Sequence, residues 1–137
     1  MSGRLAVRQG DRSDIAKLRW THAGPRDTWV ISSPFGNEVA RIESVERGAT
    51  LQRAGGSPES APDFRSLTEQ LLGVALEPRE LAGWLHAPVG ALSTGGWTVQ
   101  VAQTQRAGAV DIARLIVATR GDTSVRLVVD EYRALGN

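Results

Sequence analysis

No cysteine occurs anywhere in the 137 residues, which excludes disulfides, thiolate nucleophiles, iron–sulfur clusters and cysteine-ligated zinc. A surplus of charge is equally lacking, because 16 basic and 15 acidic side chains leave a formal charge of +1. No net field then draws the chain to nucleic acid or to an anionic membrane surface, and a polyanion partner is not expected. Apolar runs stay well short of the roughly 20 residues of a membrane-spanning helix. No signal-peptide core precedes the strand-like sequence that starts at Arg4, so the chain as given reads as soluble, with export left open. Lysine is nearly absent, Lys17 being the one among 16 basic residues.

Catalytic and cofactor motifs are missing too. Lys17 follows Ala16 rather than a glycine-rich turn, so there is no phosphate-cradling loop. The string Leu92-Ser93-Thr94-Gly95 does not make a nucleophile elbow. His22 and His86 lack the spacing of a metal pair and read as surface histidines, and Asp130-Glu131 would point to opposite faces of a strand. An enzyme is not expected, nor a metal, nor a cofactor.

What is present is alternation. A length of 137 residues with 41% hydrophobic side chains fits one core, hence one domain over residues 1–137. Leu5 and Val7 alternate with Arg4 and Arg8, and Ala16, Leu18 and Trp20 with Lys17 and Arg19, as in half-buried strands of a hairpin. Thr28–Ser32 and Glu38–Val45 read as a second hairpin around Ser33-Pro34-Phe35-Gly36, where Pro34 presets φ, Gly36 relaxes the turn and Phe35 stands at the tip. A fifth strand covers 49–53. The period then changes: a helical insert over about 61–86 carries Phe64, Leu67, Leu71 and Leu72 in one helix and Leu81, Trp84 and Leu85 in a second that starts after Glu77-Pro78. Residues 90–96 read as a loop. Three strands close the chain, over 97–103, 112–120 and 124–132.

Eight strands joined by short turns predict a mainly β (α+β) fold, an antiparallel, incomplete β-barrel with the two short helices as its lid or plug. Its expected apolar lining is Leu5, Val7, Leu18, Trp20, Ile42, Trp97, Val99, Val101, Leu115, Val117, Leu127 and Val129. Tryptophans 20, 84 and 97 read as core more readily than as ligand contacts. For Phe35 two outcomes stand open: folding back onto the barrel rim, which the residues alone slightly favour, or insertion into an apolar partner.

Several strings, in order over nearly the whole chain, resemble the outer-membrane lipoprotein receptor family LolB. They are Gly3-Arg4-Leu5-Ala6-Val7-Arg8, Leu18-Arg19-Trp20, Ser32-Ser33-Pro34-Phe35-Gly36, Trp84-Leu85, Gly96-Trp97-Thr98-Val99 and Val125 to Tyr132. The resemblance implies a receptor at the periplasmic face of the outer membrane. Such a receptor takes acylated lipoproteins from the periplasmic carrier LolA and places them among outer-membrane lipids. It implies that Pro34, Phe35 and Gly36 form the membrane-insertion loop, Phe35 standing where the family carries a hydrophobic residue, usually Leu. The acyl site would be the strand lining with Leu71, Leu81, Trp84 and Leu85. The family's acylated N-terminal cysteine has no counterpart in this sequence, which reads as a soluble form of a lipid-anchored protein; Tyr132 stands where Trp is common. A monomer is expected. The rivals are a soluble LolA-like carrier and a lipocalin-like fatty-acid binder.

Overall fold

The computed structural model describes residues 1–45 and 47–133; the last four residues of the expected domain lie outside the described residues. Among the described residues ten strands form one antiparallel sheet: β1 (Ser2–Gln9), β2 (Arg12–Ala23), β3 (Arg26–Ser32), β4 (Glu38–Val45), β5 (Gly48–Arg53), β6 (Glu59–Ala61), β7 (Gly90–Thr94), β8 (Trp97–Ala107), β9 (Val110–Arg120) and β10 (Thr123–Glu131). Between β6 and β7 lie α1 (Phe64–Leu72) and α2 (Pro78–Leu85). The spatial order is β6-β5-β4-β3-β2-β1-β10-β9-β8-β7, so β1 pairs with β10 at the centre while β6 and β7 stand at opposite, unjoined edges.

Antiparallel pairing with a two-residue side-chain period places all buried positions of neighbouring strands on one face. Leu5, Leu18, Ile31, Ala40, Ile42, Leu51, Val99, Val101, Val125 and Leu127 are all buried there. Both ends of the sheet reach the helices: α1 packs on β4, β5 and β6, α2 packs on β9, and both contribute to one apolar core. A sheet whose two halves cover the same pair of helices must curl around them. It is therefore an incomplete barrel, apolar inside, with the helices filling it.

Two strands were not foreseen. Residues 90–94 form β7 rather than a loop, pairing with β8 through the turn at Gly95 and Gly96, whose φ values of 56° and 84° suit a type I′ hairpin. The Gly-Gly dipeptide before Trp97 was the available signal. The second missed strand, β6, is only three residues long and sits between Pro58 and Pro62. Its pairing with β5 brings Gly48, at φ 131°, against the Ala61 carbonyl, where no Cβ would fit.

The helix boundaries follow local chemistry. Asp63 caps α1 by accepting from the Ser66 N–H at 2.8 Å, and α1 ends at Gly73 in the left-handed region, φ 81°. Pro78 opens α2, where its missing N–H costs nothing. The connection between the helices is held by Thr68, the one buried polar side chain among the described residues. Its hydroxyl accepts from the Leu76 N–H at 2.8 Å and lies within hydrogen-bond distance of the Arg65 and Leu76 carbonyls. Thr68→Val keeps the shape and orphans that buried N–H. We expect a loss of about 1–3 kcal/mol, read as a lower urea midpoint at unchanged slope; a midpoint equal to wild type would mean that water reaches Leu76.

Candidate functional site

The inner face is where the expected acyl site should lie. Leu5, Val7, Leu18, Trp20, Ile42, Trp97, Val99, Val101, Leu127 and Val129 are buried on it, and Leu81, Trp84 and Leu85 of α2 pack into it. Leu71 is half-buried at its margin, while Leu67 and Leu72 carry the buried face of α1.

Leu115 and Val117 are corrected by the register. Val101 pairs with Ile116 and Val99 with Ala118, so Ile116 and Ala118 face the interior. Val117 is opposite Gln100 and Arg126, both exposed, and Leu115 is opposite Gln103 and Val128, which places both residues on the outer face, half-buried. Two irregularities near Gln103 disturb the alternation of β8 and β9, and the run Ile112–Ala118 is apolar at both parities except for Arg114. No local signal chose between the two faces.

Trp29 was missed. It is fully buried between Trp20, at 5.7 Å between ring centroids, and Phe64, at 5.0 Å and edge-on. Trp84 of α2 meets Trp97 of β8 edge-on at 5.8 Å. Two aromatic clusters thus tie the helices to the sheet, one through α1 and one through α2. The alternation of Trp29 with Ile31 around Val30 was the signal for Trp29.

The interior is packed rather than hollow. A cavity of about 980 Å³ lies at one end, between the β2–β3 turn, one side of α2 from Pro78 to Leu85 and the end of β10. Trp20, Ala82 and Leu85 give it an apolar floor, and His22, Arg79 and His86 stand on its rim. Asp27 fixes this end: it accepts from the Trp20 indole N–H at 2.9 Å, lies 2.8 Å from His22 Nδ1, and its own backbone N–H donates to Ser44 Oγ at 2.7 Å. The volume sits at the upper end of the roughly 300–1,000 Å³ of ligand sites. Leu85 both lines the cavity and belongs to the core, so it stands between the two. At the N-terminal end of α2, burial and the neighbouring Glu77 push the Glu80 carboxyl up.

Phe35 does not fold back onto the rim. It is 92% exposed at the tip of the β3–β4 loop. That loop is held by its own backbone: the Ser33 N–H donates to the Asn37 carbonyl at 2.8 Å and the Gly36 N–H to the Ser33 carbonyl at 2.9 Å, with Gly36 at φ 94°. A closed, hydrogen-bonded loop that presents a large apolar ring to water spends about 2 kcal/mol of burial that the ring could have gained inside.

An open half-barrel, a helical plug and a projecting apolar tip coincide with a family assignment that covers the chain. The family model described as outer membrane lipoprotein LolB matches residues 1–132. The chain belongs to the LolB family. It is 31% identical to the outer-membrane lipoprotein LolB of Thiobacillus denitrificans, an alignment covering 98% of this chain and 79% of that protein. It is 27% identical to the LolB of Dechloromonas aromatica over 97% of this chain and 80% of the relative, and 32% identical to that of Cupriavidus necator over 90% and 73%. A lipocalin-like architecture is not favoured by the sheet order, since that barrel closes and the edges β6 and β7 do not meet among the described residues. The soluble-carrier reading is not favoured either, since the family matched is the outer-membrane lipoprotein. No helix among the described residues is long and apolar enough to cross a membrane.

Proposed function

We propose that this LolB-family chain is the outer-membrane receptor for lipoproteins: it accepts their acyl chains from the periplasmic carrier LolA onto the inner face of the half-barrel and delivers them into the outer membrane. The observation that carries this reading is that the apolar interior of an unclosed sheet is filled by two short helices rather than by strand closure. Leu81, Trp84 and Leu85 occupy space that an acyl chain can take once α2 swings aside. Transfer of each methylene from water is worth about 0.8 kcal/mol, so a long acyl chain left in water costs on the order of 10 kcal/mol. Donor and acceptor interiors therefore face each other during transfer. No step is driven by a nucleotide in this reading; direction follows from differences in affinity, each of a few kcal/mol. The roles proposed here are acyl contact for the buried inner residues of β1, β2, β4, β8 and β10, a displaceable plug for Leu81, Trp84 and Leu85 of α2, and bilayer entry for Pro34, Phe35 and Gly36. Leu115 and Val117, on the outer face, have no part in it.

The test is a transfer assay in which carrier loaded with a labelled lipoprotein is mixed with this protein and the two are separated. Movement of most of the label onto this chain is expected. Retention of the label by the carrier, with this protein shown folded by circular dichroism, would leave a fold without the receptor activity.

A further inference from the structure

The near-zero net charge hides a segregation that only the sheet register reveals. Arg4, Lys17, Arg19, Arg41 and Arg126 are all exposed on the outer side of the sheet. Two cross-strand rows organise the part nearest the Phe35 loop. Arg4 pairs with Lys17 and Lys17 with Ser32, the last residue before the loop; in the next row Arg19 pairs with Val30 and Val30 with Arg41. Val30 is buried although it faces outward between its two arginine neighbours.

A groove of about 550 Å³ runs along this surface, lined by Arg4, Lys17, Arg19, Glu38 and Asp130 and by Gly36 of the loop itself. Its acids are already engaged: Asp130 takes two hydrogen bonds from Arg4, at 2.8 and 3.1 Å, and Glu38 pairs with Arg41 at 3.3 Å. Lys17 and Arg19 form no ion pair among the described residues. Ile15, 62% exposed, extends the apolar tip along the same face of β2.

We propose that this outer face binds the phosphate headgroups of an anionic bilayer, with Lys17 and Arg19 as the principal contacts, and so orients the protein on the membrane that Phe35 enters. The geometry fits a bilayer. Phe35 is three residues beyond Ser32 and so reaches at most about 10 Å past it, while Lys17 is one strand spacing away, about 5 Å. A ring placed at the boundary between headgroups and acyl chains, about 5–10 Å deep, leaves Lys17 at the level of the phosphates. Cations held there act within the Debye length of about 8 Å at physiological salt. The inference rests on the proposed membrane role of the loop and adds the headgroup chemistry to it.

The experiment is flotation of the whole chain with neutral phosphatidylcholine vesicles and with vesicles containing 30 mol% phosphatidylglycerol, for wild type, Lys17→Gln/Arg19→Gln and Phe35→Glu, at low and high salt. Each cation near an anionic surface is worth about fivefold, so the double variant should bind the anionic vesicles about 30-fold more weakly than wild type. Its binding to neutral vesicles and its folding should be unchanged, since both side chains are exposed. High salt should abolish the wild-type preference for anionic vesicles. Equal binding of wild type and double variant to the anionic vesicles overturns the proposal. So does a double variant that keeps its vesicle binding but no longer accepts label from the loaded carrier, which would make the face a protein-docking surface. If Phe35→Glu loses nothing on neutral vesicles while the double variant loses the anionic preference, the loop reading fails and the headgroup site stands.

Discussion

Phe35→Glu should separate the two halves of the receptor's task, leaving acyl binding and the fold intact and removing delivery to membranes. The ring touches no core residue and is 92% exposed, and the loop is held by backbone hydrogen bonds that do not involve the side chain. A change of stability within about 0.5 kcal/mol is therefore expected, as for surface positions in general. At the membrane the same ring is worth about 1.5–3 kcal/mol when buried, and a carboxylate reverses the sign. Loss of the ring alone, in Phe35→Ala, should reduce delivery by a factor of about 10 to 150, and the glutamate should reduce it further. The measurement is release of a bound labelled lipoprotein into outer-membrane vesicles, beside thermal melting and uptake from loaded carrier. If uptake and delivery fall together, Phe35 belongs to the acyl site or to the carrier contact and the division of roles is wrong.

Trp84→Ala is expected to weaken the protein and strengthen its grip on acyl chains. Trp84 is 1% exposed, packed edge-on against Trp97 and flanked by Leu81 and Leu85 on the same face of α2. Truncating a buried tryptophan costs about 3–5 kcal/mol. In an ordinary core that is only damage. Here the helix side chains and the acyl chain compete for one surface, and the affinity of a ligand for a minor open state is reduced by the fraction of molecules that are open. Weakening the plug by about 3 kcal/mol can raise apparent affinity by up to about 10²-fold. Urea unfolding and displacement of a fluorescent fatty acid would read the two quantities on the same sample. Lower stability together with weaker fatty-acid binding would make Trp84 a wall of the acyl site rather than its plug.

Much of this architecture was legible because it depends on local period and turn chemistry. Arg4 to Arg8 and Lys17 to Trp20 alternate so plainly that only one strand orientation buries their apolar side. Pro78 marks the start of α2 by a backbone rule that holds in any context, whereas α1 starts at Phe64 and not near Ala61, which β6 takes. The short β6 was not legible, because three residues between prolines pair only when β5 is already there to receive them. The hairpin at Gly95-Gly96 could have been read and was not.

The sequence by itself determined the mainly β half-barrel, the helical plug and the position of Phe35 at a hairpin tip, since these follow from periodicity and from proline and glycine geometry. Only the tertiary structure decided three other things. One is which face of β9 looks inward, because Ile112–Ala118 is apolar at both parities and the choice rests on pairing with Val101 and Val125. Another is that Phe35 stays in water, because a loop's direction depends on bonds between residues that alternation does not constrain. The last is the gathering of Arg4, Lys17, Arg19 and Arg41 on one surface. Strands distant along the chain bring those charges together, and a net charge of +1 sums over faces that only the folded sheet keeps apart.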